Sequence, residues 1–197
     1  MLKGTIIKLV TISLMFLFAV STFAFSHKEG NPMVEMKTSK GVIKIELFAD
    51  KAPITVKNFL MYVNEGFYEG LIFHRVIKDF MIQTGGHKPD LSRKPTHPPI
   101  KNEANNGLSN KRGTIAMART ADINSATSQF FINHRDNSNL DYKGEGPREF
   151  GYCVFGKVIE GMDVVDAIAN VKTGSKSGYN DVPLEDILIE YAKVISK

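Results

Sequence analysis

Apolar and polar positions alternate along much of the chain. Ile43, Ile45 and Leu47 are separated by Lys44 and Glu46, a period of two that predicts a strand with one buried and one wet face. The run 34–38 precedes it, and Ser39-Lys40-Gly41 supplies a turn, so 34–38 and 41–48 read as a hairpin. Over Phe80–Thr84 the same alternation puts Met81 and Gln83 on one face, with Phe80 at the strand's mouth. Further short runs at 71–75, 114–118, 130–132, 154–159 and 184–194 read as strands. Two segments switch to a helical period. Pro53 suits a first helical turn, and Val56, Phe59, Leu60 and Val63 follow at i, i+3, i+4, i+7 until Gly66. Val164, Val165 and Ile168 mark a second helix over Met162–Ala169.

Many short strands with two helices predict a mainly β fold, a closed antiparallel barrel whose closure removes exposed edges. The segment 86–112 is long, carries Pro89, Pro95, Pro98 and Pro99, and offers few core positions, the profile of a functional or mobile loop. The 197 residues suit one domain, with length left over for a targeting segment. That segment is the N-terminus. Lys3 and Lys8 form a basic head, Leu9–Val20 an apolar run too short for a bilayer span, and Ser21, Thr22, Ala24 and Ser26 a small-residue tail. Residues 1–26 therefore read as a secretory signal peptide cleaved after Ala24 or Ser26, followed by a short flexible lead-in over 27–33 and a single domain over 34–197. No cysteine follows the apolar run to carry a lipid anchor, and an uncleaved signal anchor is the alternative. The mature form is expected to be exported and not membrane-embedded, in the periplasm first and fully secreted second.

Charge and cysteine content narrow the chemistry. Net charge is +4, or +2 once Lys3 and Lys8 leave with the leader, and no basic stripe appears, which argues against a nucleic-acid partner. The one cysteine, Cys153, excludes an internal disulfide and multi-cysteine metal sites; in the apolar run YCVF it reads as an inert buried thiol. His87 and His97 lie in the long loop without metal-ligand spacing, so neither metal nor cofactor is expected.

Three blocks carry the chemical signal: FHRVIKDFMIQTGG at 73–86, TIAM with SQFFIN at 114–117 and 128–133, and GYCVFGKV at 151–158. In this order and spacing the chain resembles the cyclophilin family of peptidyl-prolyl cis/trans isomerases, from about Val34 to the C-terminus, and is most similar to exported bacterial members. The resemblance implies an eight-stranded barrel capped by two α-helices. It also implies a groove that takes proline-containing segments of folding proteins, skirted by the 86–112 loop. It assigns the catalytic donor to Arg75 and the proline pocket to Phe80, Met81, Phe131 and Leu140. Gln83 and Gln129 hydrogen-bond around that pocket, Ala118 keeps its floor small, Arg119 presents backbone groups to the peptide, and Tyr152 completes the substrate-binding set. Taken singly, each of these also reads as ordinary core or surface, and His74 reads as a residue that orders its strand by hydrogen bonding.

Such an activity suits this chain chemically. Rotation about an X–Pro bond faces a barrier of roughly 18–20 kcal/mol and takes tens to hundreds of seconds unaided. An acceleration of about 10⁴, roughly 5.5 kcal/mol, needs no nucleophile, metal or proton relay. A pocket that grips the proline ring and a donor aimed at the amide nitrogen, which regains its lone pair in the twisted state, suffice. A planar, permanently charged guanidinium is fitted to that role.

Three positions depart from the family. Asn139 stands where members carry Trp or Phe at the pocket rim, Tyr152 replaces a histidine common in animal members, and Thr84 interrupts a glycine run. The first departure predicts weak cyclosporin binding. A monomer is expected. The competing expectations are a non-catalytic proline-segment binding module or chaperone, and a secreted factor acting on host proteins.

Overall fold

The computed structural model describes residues 30–196. The leader, both candidate cleavage sites and the start of the lead-in lie outside the described residues. Chain order is β1 (Met33–Thr38), β2 (Gly41–Leu47), α1 (Pro53–Asn64), β3 (Arg75–Ile77), β4 (Met81–Thr84), β5 (Thr114–Met117), β6 (Phe130–Asn133), β7 (Val154–Glu160), α2 (Met162–Ala169), β8 (Thr173–Lys176), β9 (Tyr179–Pro183) and β10 (Ile189–Ser196). Among the described residues no helix is long and apolar enough to cross a membrane.

Eight strands form one antiparallel sheet in the order β10-β1-β2-β7-β5-β6-β4-β3. The sheet curls without closing, so the expected closed barrel is corrected to a half-barrel. β3 and β10 stand at opposite ends of the order. Among the described residues, the bridge Ile72–Leu188 and a few backbone bonds, such as Phe73 N–H to Ile187 O at 3.0 Å, span the gap between them. The reason lies in the segment 71–75. Leu71, Ile72, Phe73 and His74 are all buried, which breaks alternation, and the ladder starts only at Arg75, opposite Gln83. The last strand likewise begins at Ile189, well after the expected 184.

The core lies between the sheet and the helices. Phe59 of α1 meets Phe130 of β6 edge-on at 5.3 Å and Phe155 of β7 at 5.2 Å. Burying such a ring contributes roughly 1.5–3 kcal/mol. Val56, Phe59 and Val63 are buried as their spacing predicts, but Leu60 sits at the edge of that face, and Thr55 and Tyr62 complete it. Ala52 at the helix start has no side chain able to cap it. Glu103, from the proline-rich segment, does so instead. Its carboxylate accepts from Ile54 N at 3.2 Å, Thr55 N at 2.8 Å and Thr55 Oγ1 at 2.7 Å, placing negative charge at the positive end of the helix dipole.

Candidate active site

Period-two geometry gives the sheet a second face. In β6, Phe130 and Ile132 enter the main core while Phe131 points the other way. There Phe131 joins Met81, Ala116 and Val154 in a small buried cluster, against which Phe80, Ala118, Leu140 and Tyr152 pack. Register aligns these groups: Arg75 is opposite Gln83, Gln83 opposite Phe131, and Ala116 opposite both Phe131 and Val154. Above the cluster opens a cleft of about 310 Å³. All ten residues singled out from the sequence line it: Arg75, Phe80, Met81, Gln83, Ala118, Arg119, Gln129, Phe131, Leu140 and Tyr152.

Polar contacts fix the walls. Gln83 Nε2 donates to Gln129 Oε1 at 2.9 Å. Gly86 makes room for this pair, since a Cβ there would stand 2.5–2.6 Å from the Gln129 side chain. Phe80 sits in the β3–β4 turn, where Asp79 takes a left-handed φ of 57°. The Phe80 carbonyl accepts from His134 N at 3.0 Å and Asn137 Nδ2 at 2.8 Å, which holds the ring at the rim. Leu140 ends a short 3₁₀ turn (Ser138–Leu140), and its carbonyl accepts from Tyr152 N at 2.9 Å. Asn139, on the same turn, is exposed and does not line the cleft. Thr84, the interruption in the glycine run, donates its hydroxyl to Ile72 O at 2.9 Å and ties β4 to the irregular segment before β3.

Arg75 is half-exposed at the cleft edge, with Nε 3.8 Å from Asp181 Oδ2, a contact loose enough to leave the guanidinium available. Arg119 is bound more firmly: Nε donates to Gly151 O at 2.9 Å, Nη1 to Thr120 O at 3.0 Å and Nη2 to Pro147 O at 2.9 Å. Its guanidinium lies 5.0 Å from the Tyr152 ring, a cation–π contact, and Tyr152 in turn meets Phe131 edge-on at 5.7 Å.

His74 is hydrogen-bonded to the backbone of Ile72, while its Nδ1 is buried without a partner and its ring packs 4.1 Å from that of His87. Burial first, and the neighbouring His87 second, push its pKa down to about 3. His87 is itself held down by burial and then by Arg93. Cys153 is buried beside Thr55, and burial pushes its thiol up to about 12, which leaves it protonated and unreactive.

Sequence reasoning missed part of the wall. His87, Arg93, Tyr179 and Asn180 also line the cleft, the last two from the separate β8–β9 hairpin. A signal for that hairpin was present in Ser177-Gly178, both left-handed at φ 50° and 81°, the dipeptide type that two-residue hairpin turns demand.

A curled eight-stranded sheet with two helices, bearing an apolar pocket with a guanidinium at its edge, defines a protein built to grip a small apolar ring beside a polar backbone. The family model described as "Cyclophilin type peptidyl-prolyl cis-trans isomerase/CLD" matches residues 33–194, and the chain belongs to that family. It is 57% identical over 162 residues to peptidyl-prolyl cis-trans isomerase cyp18 of Streptomyces antibioticus, covering 82% of this chain and 98% of that one. Identity is also 57% over 162 residues to peptidyl-prolyl cis-trans isomerase B of Escherichia coli (strain K12), covering 82% of this chain and 99% of that one. Among solved structures, it is similar to a Cryptosporidium parvum cyclophilin type isomerase crystallised in the presence of the dipeptide Ala-Pro. The TM-score is 0.68 at 28% identity, covering 84% of this chain and 99% of that one. The chain is a peptidyl-prolyl cis-trans isomerase.

Proposed function

We propose that this isomerase accelerates X–Pro rotation in proteins that have been exported, and that it works as a monomer outside the cytoplasm, in the periplasm. The proline ring enters the cluster of Phe80, Met81, Phe131 and Leu140, while Gln83, Gln129 and the Arg119 backbone hold the flanking peptide. Arg75 then donates to the amide nitrogen as the bond twists and conjugation is lost. Because that nitrogen becomes an acceptor only in the twisted state, the interaction favours the transition state over either ground state.

The observation that carries this reading is the placement of a guanidinium with only a loose counter-ion beside a largely buried apolar pocket. The Ala-Pro dipeptide present with the Cryptosporidium parvum relative supports proline peptides as the ligand class. The basic head, apolar run and small-residue tail of 1–26 support the address.

Two measurements on the native protein test the proposal together. Intact mass is expected to begin at Phe25 or His27 in material released with the periplasm, and that material is expected to shorten the slow proline-limited phase of a refolding exported protein. Retention of Met1 and the apolar run would refute cleavage, and an unchanged refolding phase would refute the folding role.

A further inference from the structure

The cleft carries an unbalanced charge. Arg75, Arg93 and Arg119 border it, and no carboxylate is among its lining residues. A second groove of about 420 Å³ continues from it, sharing Gln83, Arg93, Ala118, Arg119 and Gln129 and adding the hydroxyls of Thr96, Thr120, Ser125 and Thr127. This groove also has no carboxylate in its wall. Arg119 is fixed by three carbonyls, which orient the guanidinium without neutralising it. Arg93 is exposed, and among the described residues its side chain has no hydrogen-bond or ion-pair partner; other cations take the carboxylates, as Arg112 does with Asp166 at 2.7 Å.

Arg93 is nevertheless well placed by its backbone. It bridges to His87, and Lys88 N–H donates to Ser92 O at 3.0 Å. Leu91, at a left-handed φ of 64°, is buried with Ile72 and Val182. The turn that presents Arg93 is thus anchored to the body of the protein. Three acidic residues lie near this region. Asp90, in the turn that presents Arg93, accepts from Ser92 N at 2.9 Å and Ser92 Oγ at 2.6 Å. Asp181 faces Arg75 at 3.8 Å, and Asp122 accepts from Asn124 N at 2.9 Å within its own loop. None of them lines the second groove.

We propose that this groove selects substrates bearing a carboxylate within three residues of the proline, held between Arg93 and Arg119, with Arg93 as the specificity-determining residue. The inference rests on the reading that the adjoining apolar cluster takes the proline ring. An extended peptide advances about 3.3–3.6 Å per residue, so a side chain one to three positions away reaches a groove that shares its wall with the cleft. A guanidinium pair fits a carboxylate in charge and in planar geometry.

The test uses the mature protein and peptides with one proline and neutral Gln flanks, into which Glu or Lys is placed singly at each of three positions on either side. Exchange kinetics give kcat/KM, and chemical-shift titration gives Kd independently of turnover. At one position Glu is expected to exceed Lys by about five- to tenfold at low salt in both readouts, with the ratio shrinking as salt screens the charges. Arg93→Gln should lower the Glu/Lys ratio by about threefold or more, and Arg93→Glu should invert it. Equal Glu and Lys values at every position, or a ratio unchanged in Arg93→Glu, would overturn the proposal while normal turnover of the Gln peptide left the isomerase reading standing. A Glu preference in Kd with no turnover of any peptide would uphold the groove and overturn the reading of the cleft.

Discussion

His74→Phe should make the protein less sensitive to acid. His74 is 4% exposed, its Nδ1 has no partner, and its folded pKa is about 3 against an ordinary 6.5. Burial is the largest cause; His87, Arg75 and Arg93 add to it by disfavouring a further positive charge, and a backbone hydrogen bond with Ile72 offsets only part of this. A base whose pKa is lowered by folding binds its proton more readily when unfolded. Its neutral form therefore lets the fold keep full stability above 6.5, and stability falls as pH drops from 6.5 toward about 3. The ceiling of that loss is about 5 kcal/mol at 1.36 kcal/mol per factor of ten, and roughly 2.5–3 kcal/mol is reached by about pH 4.5. At roughly 2–4 °C per kcal/mol for a domain of this size, that corresponds to a Tm lower by about 5–12 °C. Phe keeps a ring against His87 but cannot take up a proton. The assay is urea unfolding of both proteins across pH 4.5 to 7.5. Carboxylate titration is common to both, so the difference between the two pH slopes isolates His74. Parallel slopes would refute the reasoning.

Other consequences are equally direct. Phe131→Ala should empty the proline pocket and weaken peptide binding about tenfold or more, read by titration, and binding unchanged in a folded variant would place the ring elsewhere. Gly86→Ala should displace Gln129 and break its 2.9 Å bond with Gln83, raising KM in peptide kinetics; an unaltered KM would show that the pair does not hold substrate. With Asn139 exposed outside the cleft, cyclosporin should inhibit weakly and Asn139→Trp should tighten it, and potent inhibition of the native protein would show that another residue rebuilds the rim.

The site was legible where local alternation decides it. Met81, Gln83 and Phe131 share a sheet face because strands point successive side chains to opposite sides, whereas the register that brings Arg75 opposite Gln83 is set only in the folded sheet. Barrel closure was not legible, since it depends on the run Leu71–His74, where consecutive burial suppresses the alternation that marks a strand. Thr173–Lys176 was missed because its residues are polar and largely exposed and give no hydrophobic signal, despite the Ser-Gly turn beside it. The His74–His87 contact joins residues thirteen positions apart that meet only once β3, β4 and the loop beyond are folded, so no local pattern announces it.

The central claim is that Arg75 stabilises the twisted amide, and exchange kinetics on a single X–Pro peptide test it most directly. Removing a preorganised donor of this kind costs about 10²–10³ in rate, roughly 2.7–4 kcal/mol, most of the roughly 5.5 kcal/mol the reaction needs. Arg75→Ala should lose about tenfold or more in turnover with peptide binding largely retained. Arg75→Lys should recover little, because an ammonium keeps the charge without the planar fork. Turnover near that of the native protein in a folded Arg75→Ala variant would contradict the account.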